Sequence, residues 1–243
     1  MLQRSNLPPP PPMDEIESPS LFLDFDGTLV EIADGPDAIE PPGALGRRLE
    51  TLANRFDGRV AVVTGRSLDN LHHFLGPSAT FRAGSHGAHI EGPDREVLRE
   101  ARPLPDDAIS TLADFAKETG LLYERKTHGG ALHYRSNPAM MDQVLSIAEQ
   151  VGEQHGLAVK QGKSVAELVW PGADKGGAVR ILMAKPPFAG SVPVFLGDDV
   201  TDEDGMAAAR EHDGFGIAVG ERPFTNASYH LPTVKDVYEW LKL

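Results

Sequence analysis

The chain has 243 residues, enough for one large α/β domain or for a core domain carrying a smaller one, and its 40% hydrophobic and 24% charged content is ordinary for a globular protein. With 36 acidic against 23 basic residues its formal charge is −13, which disfavours nucleic acid and anionic membrane surfaces as partners and leaves any anionic substrate to local cations. The absence of cysteine excludes disulfides, thiolate catalysis and cysteine-held zinc. No apolar run approaches the about 18 residues of a membrane span, and Met1-Leu2-Gln3-Arg4 leads into prolines rather than a signal core, so a cytoplasmic address is expected.

Residues 1–19 read as a flexible arm whose run Pro8 to Pro12 is extended as polyproline II rather than packed. The apolar run Leu21-Phe22-Leu23 reads as a buried strand ending at Asp24, after which Asp26-Gly27-Thr28 lets the chain turn. A helix is predicted over 43–56, a second strand over 59–63 that stops at Thr64-Gly65-Arg66, and a helix over 67–75. Past Pro103 and Pro105 the pattern changes to a helix over 106–118, strands over 121–126 and 131–135, a helix over 138–154, and strands over 157–161 and 165–169. Short turns at Gly129-Gly130 and Gly162 suggest antiparallel pairing there. After Pro171-Gly172 the first pattern returns, with a helix capped by Asp174 and running to Met183, a strand over 192–196, an acidic run from Asp198 to Asp204, a strand over 216–219 and a capped amphipathic helix over 233–243.

Strands alternating with helices imply right-handed crossovers and a parallel sheet. The fold class expected is therefore α/β, a Rossmann-like parallel-sheet core over 20–103 and 172–243 with an inserted α+β cap over 104–171. Linkers near Arg102 to Pro105 and Pro171 to Gly172 suit a mobile cap whose closure would exclude water. In such a sheet the C-terminal tips of the strands lie on one edge, where open α/β sheets bind ligands.

Four motifs sit at those tips or open helices of the sheet. Asp24 and Asp26 place two carboxylates at the end of a buried strand, where burial without a partner is costly and a hard cation such as Mg2+ with a phosphate would share the charge. Taken singly, each motif has a plainer reading: a polar turn for Asp24-x-Asp26, a helix cap for Thr64, helix-start decoration for Lys175 and a solvated acidic loop for Asp198, Asp199, Asp202 and Asp204. Lys175 in a first helical turn opposes the helix dipole, which favours another purpose. It is their order along one sheet that lets them converge.

In that order, Asp24-x-Asp26-x-Thr28, Thr64, Lys175 and Gly197-Asp198-Asp199-x-x-Asp202 resemble the haloacid dehalogenase superfamily of phosphohydrolases, with a type-two cap between the second and third motifs. Val63-Thr64-Gly65-Arg66, Ala83-Gly84-Ser85-His86-Gly87, Glu124-x-Lys126, His133-Tyr134-Arg135, Val165-Ala166-Glu167 and the run Gly197 to Asp204 resemble trehalose-6-phosphate phosphatases more narrowly, from Ser20 onward. Ser85 departs from the Asn that many relatives carry. The resemblance implies hydrolysis of trehalose 6-phosphate through an aspartyl-phosphate, with Mg2+ as cofactor. It implies Asp24 as nucleophile, Asp26 as proton shuttle, and Thr64 and Lys175 as donors to the phosphoryl oxygens. It also implies a metal site of Asp24, the Asp26 carbonyl and Asp198, with Asp202 and Asp199 orienting Lys175 or binding metal-held water. In the cap it implies Glu124, Lys126 and Glu167 as sugar ligands, with Arg135, His133, Arg66 and His86 secondary. A trehalose-6-phosphate synthase would be the functional partner. A phosphatase for another sugar phosphate such as sucrose phosphate, a phosphomannomutase, and a non-catalytic sugar-phosphate sensor are the alternatives.

Overall fold

The computed structural model describes residues 7–33, 38–76, 78–126, 128–162 and 164–243. In chain order its elements are β1 (Pro19–Leu23), α1 (Leu45–Arg55), β2 (Val60–Val63), α2 (Leu68–Leu75), β3 (Phe81–Gly84), β4 (His89–Glu91) and β5 (Val97–Arg99). There follow α3 (Asp106–Thr119), β6 (Leu122–Arg125), β7 (Gly129–His133), α4 (Met141–His155), β8 (Ala158–Gly162) and β9 (Val165–Val169). The chain ends with α5 (Lys175–Met183), β10 (Val192–Gly197), α6 (Asp202–Glu211), β11 (Phe215–Val219), β12 (Ala227–Leu231) and α7 (Val234–Leu241). These elements form two compact units, one of residues 1–99 and 174–243 and the other of residues 100–173.

The first unit holds an eight-stranded sheet in the order β12-β11-β10-β1-β2-β3-β4-β5. Its six strands from β12 to β3 are parallel, and β4 and β5 continue it antiparallel. Because side chains alternate across a strand, Leu21, Leu23, Val60, Val62, Val194 and Leu196 pack with apolar residues of α1, α2 and α7, whereas Phe22, Ala61, Val63 and Phe195 pack with those of α5 and α6. Every residue of β1 and β2 is buried, the mark of a parallel sheet covered on both faces. The chain winds outward from β1 through β2 to β3 and, after the second unit, from β10 through β11 to β12. β1 and β10 thus flank the switch point at which a crevice opens beyond the strand ends.

The second unit is a four-stranded antiparallel sheet, β6-β7-β9-β8, with α3 and α4. Leu132, Ala166 and Leu168 face the helices, where they pack with Leu112, Val144 and Ala148. β7 begins at Gly129, two residues before the apolar run suggests, and pairs with both β6 and β9.

Five elements escape the sequence pattern: β3, β4, β5, β12 and α6. The strands of the β3 to β5 edge have only three or four residues and include Arg82, Glu91 and Arg99, so no apolar alternation marks them. In α6 the acidic run itself forms the first turn, with Asp202, Glu203 and Asp204 facing the positive end of the helix dipole.

Residues 7–19 are not the unpacked arm that the proline run suggests, while residues 1–6 fall outside the described residues. Proline removes a backbone donor but leaves its carbonyl, and here the Pro11 carbonyl accepts from Trp240 Nε1 at 2.8 Å and the Pro8 carbonyl from His230 N at 3.0 Å. Met13, in a short 3-10 turn, is buried in the same core layer as Leu21 and Val237. Met13→Ala should therefore cost about 2 kcal/mol or more in urea denaturation, the range for a buried Met→Ala change. A change within experimental error would mean that the arm is unpacked in solution.

Candidate active site

The strand tips of the first unit place the polar groups. Asp24 follows β1, with its N–H donating to the Leu196 carbonyl of β10 at 3.0 Å, so its side chain is set at the switch point. Lys175 is the first residue of α5, whose N-cap Asp174 accepts from Gly177 N at 2.7 Å and fixes where the helix begins. The Lys175 ammonium donates to Asp24 Oδ1 and to Asp202 Oδ1, both at 2.6 Å. Lys175 and Asp24 are only 2% and 4% exposed, and Asp202 is fully buried. Asp202 uses its other oxygen, Oδ2, to accept from Asp199 N at 2.8 Å, closing the turn into α6.

Asp198, at the end of β10, brings a third carboxylate: ligand atoms of Asp24, Asp198 and Asp202 lie within 4.8 Å of one another. Two glycines make room for this cluster. Gly27 has φ +78°, and a Cβ there would overlap the Asp198 carboxylate; at Gly197 it would overlap the Asp202 side chain. One ammonium faces three carboxylates, and the electrostatics follow. Burial opposes the charge on Lys175, but Asp24 and Asp202 outweigh it and hold its pKa above the ordinary lysine value. Burial, then repulsion from Asp202, pushes Asp24 well up and raises Asp198 to about 6.

Asp26 lies on the same crevice but is bound differently. Its two oxygens accept from Arg66 Nη2 and Nε, both at 2.7 Å, in a bidentate fork. Arg66 is itself set by Asn70 Oδ1, which accepts from Nη1 at 2.7 Å, and by the Phe25 and Phe74 rings beneath its guanidinium. Thr64, almost fully buried, accepts from Arg66 N at 3.1 Å through Oγ1. Asp24, Asp26, Arg66, Asn70, His86, Lys175, Asp198 and Asp199 line a crevice of about 800 Å3.

In the second unit, β6, β7 and β9 bring Glu124, Ala131 and Glu167 into register, so their side chains stand on one face of the sheet. Lys126 Nζ donates to Glu167 Oε1 at 2.8 Å, and His133 Nε2 and Glu124 Oε2 are also 2.8 Å apart. Helices cover the other face. A polar face therefore carries three of the predicted sugar ligands with His133 between them, its ion pairs half-exposed.

A family model described as trehalose-phosphatase matches residues 22–235. The chain belongs to that family. It is 35% identical over 226 residues to the trehalose-6-phosphate phosphatase of Escherichia coli (strain K12), a match covering 91% of this chain and 85% of that protein. A probable trehalose-phosphate phosphatase of Sinorhizobium fredii is 34% identical with the same coverage. Among solved structures, Aspergillus fumigatus trehalose-6-phosphate phosphatase matches with a TM-score of 0.74 at 27% identity, over 94% of this chain and 93% of that one. A Bacteroides thetaiotaomicron phosphatase of the haloalkanoate superfamily, 16% identical, has the same fold at a TM-score of 0.68. Members of the trehalose-phosphatase family are phosphoric monoester hydrolases, and this chain is an enzyme of that class.

Such folds imply a divalent metal, and the residues of this chain fit one. The Asp24, Asp198 and Asp202 carboxylates are hard oxygen ligands in excess of the one local cation, and glycines leave their approach open. Three family-implied roles look different in the geometry. Asp199 does not reach Lys175; it is exposed, with Oδ1 accepting from Arg222 Nη1 at 3.1 Å, and Asp202 alone of the two orients the lysine. Arg135 lies exposed beyond the end of β7, outside the ion pairs formed by Glu124, Lys126 and Glu167. Arg66 pairs with Asp26 within the first unit, so its partner here is the carboxylate rather than a sugar. Asn70 went unnoticed in the sequence, although its position four residues after Arg66 and three after the capping Ser67 was the available signal.

Without metal, raised aspartate pKa values mean that the folded state holds protons the unfolded chain has released, between the ordinary value of 3.8 and about 6 for Asp198. This contribution to stability is present at low pH and lost as pH rises through that window. Thermal melts of metal-free protein should therefore show a larger gain on acidification from pH 7 to pH 5 for wild type than for Asp198→Asn. Equal gains would contradict the crowded-carboxylate reading.

Proposed function

We propose that this enzyme hydrolyses trehalose 6-phosphate to trehalose and phosphate through an aspartyl-phosphate on Asp24, with Mg2+ as its cofactor. The observation that carries the reaction is the buried Asp24, held by Lys175 at 2.6 Å at the switch point with Asp198 alongside. The substrate rests on family membership and on relatives described as trehalose-6-phosphate phosphatases. Asp24 and Asp198, with the Asp26 carbonyl, would hold the metal, and when bound it would neutralise charge developing on the phosphoryl group.

In the first step the Asp24 carboxylate attacks phosphorus, the bond from phosphorus to the sugar oxygen breaks, and Asp26 gives that oxygen a proton. In the second, Asp26 takes a proton from water, the water oxygen attacks phosphorus, and the bond to Asp24 breaks to release phosphate. Lys175 donates to Asp24 in the resting enzyme and Thr64 has an unused hydroxyl proton, so both are placed to donate to phosphoryl oxygens. Arg66 aims the Asp26 carboxyl while leaving each of its oxygens a further lone pair for the proton. Glu124, Lys126 and Glu167 would read sugar hydroxyls, the carboxylates accepting and the ammonium donating. A synthase that makes the phosphorylated disaccharide is the functional partner this reading implies.

Phosphate release from a panel of sugar phosphates tests the substrate; trehalose 6-phosphate should lead, and a tenfold preference for any other ester would sink that assignment. Asp24→Asn should abolish turnover with its melting curve retained, and rapid acid quench followed by peptide mass spectrometry should find phosphate on Asp24 of the wild type. Persistent turnover in the variant would remove Asp24 as nucleophile. Arg66→Lys replaces a planar fork by a point charge, so kcat should fall by about tenfold or more with KM little changed. A rise in KM alone would place Arg66 on the sugar instead.

A further inference from the structure

Burying a guanidinium without a carboxylate is expensive, and Arg82 is in that position. It stands on β3, is 4% exposed, and belongs to none of the groups at the strand tips. Its Nη2 donates to the Gly76 carbonyl at 2.9 Å, to Ser78 Oγ at 3.2 Å and, more weakly, to the Ser78 carbonyl at 3.4 Å, all neutral acceptors. Nε is buried without a hydrogen bond, and Nη1 has no protein partner among the described residues. Glu91 faces Arg82 directly across the β3–β4 pairing, and its carboxylate lies 3.3 Å from His72 Nε2 and 3.7 Å from His89 Nε2 without a hydrogen bond to either. Burial and the neighbouring Arg95 both lower the Arg82 pKa, and Glu91 offsets only part of this.

Arg82 lines a separate cavity of about 230 Å3. Arg95 and His72 reach the same cavity, as do Glu91 and, from α1, Glu50. Arg95 is exposed, sits in the turn after β4, and its guanidinium makes no hydrogen bond or ion pair among the described residues. The cavity opens beside residues 78–80, which lead into β3, and residues 92–95, which follow β4. It therefore lies at the opposite end of β3 from the catalytic strand tips. Its volume is too small for a nucleotide and suits one tetrahedral or carboxylate anion.

We propose that this cavity is a second anion site, taking a small oxyanion of the phosphate class on Arg82 Nη1 and the Arg95 guanidinium. A bidentate oxyanion would provide the counter-charge that Arg82 lacks, and Arg95 would close over it from solvent. Ser78 and Thr80, whose hydroxyls are 2.8 Å apart, line the wall with a proton to share. Glu91 forms no ion pair or hydrogen bond with Arg82 among the described residues, and its Oε2 is buried without a hydrogen bond. The site is independent of which phosphate ester the enzyme hydrolyses.

The test is calorimetric titration of inorganic phosphate at constant ionic strength, together with selenate soaked into crystals and located by anomalous scattering. Wild type should bind phosphate at two sites, and selenate should sit within hydrogen-bond reach of Arg82 Nη1. Arg95→Glu, which alters an exposed side chain, should weaken the second site by about tenfold or more while leaving the first and the turnover rate unchanged. Arg82→Gln should lose the second site too, and Arg95→Glu keeps the test valid if that buried substitution unfolds the protein. A single phosphate site in wild type, an isotherm unchanged in Arg95→Glu, or a selenate peak without millimolar binding in solution would overturn the proposal.

Discussion

One buried ammonium shared by two carboxylates organises the first unit. Lys175 joins α5 to the tip of β1 through Asp24 and to the start of α6 through Asp202, so three elements from both ends of the chain are set by one side chain. Removing one member of such a buried group leaves charge without compensation, at a cost of several kcal/mol. The arrangement is also unbalanced in itself: with Asp198 added, three carboxylates gather around one ammonium, an excess of negative charge that favours a cation. Stability and chemistry pull in opposite directions here, as strained functional sites do.

The two carboxylates of the Asp24-x-Asp26 motif differ through their surroundings. Asp24 is buried against a lysine and raised in pKa, whereas Asp26 remains partly exposed and is gripped by a planar fork. Neighbouring positions on one turn thus acquire different environments: one group is desolvated against an ammonium, the other is oriented by a guanidinium and open to solvent, a division that the proposed mechanism uses. The Arg66 fork depends in turn on Asn70, so the aim of Asp26 is set by α2 rather than by its own loop.

Much of this could be read from the chain and some could not, for physical reasons. Buried parallel strands such as Leu21 to Leu23 and Val60 to Val63 announce themselves by unbroken apolar runs, and Asp174 and Thr233 by their capping positions. Edge strands such as β4 have too few residues to show a period, and α6 begins in an acidic run that solvent would tolerate equally well as a loop. The members of the site were legible because each follows a strand or opens a helix. Their pairing was not: Asp26 and Arg66 are 40 residues apart, Asp199 and Arg222 are 23 apart, and which carboxylate takes which cation is decided only by tertiary packing. The proline arm failed as a prediction because its carbonyls are acceptors for Trp240 and His230, partners that lie more than 200 residues further along.

The insertion between β5 and α5 also has a consequence for synthesis. Asp24 and Lys175 are 151 residues apart, and β1 has β10 as a neighbour on one side. As the chain leaves the ribosome, β1 can pair with β2 early, but its other edge stays open and its aspartate uncompensated until the whole second unit has been made. Units formed by contiguous residues close their loops first, so residues 100–173 can complete their own sheet while the first unit is still waiting for its second half. The last part of the molecule to form is therefore the unit that carries the proposed active site, and a chain that stops before α5 lacks the Asp24–Lys175 pair.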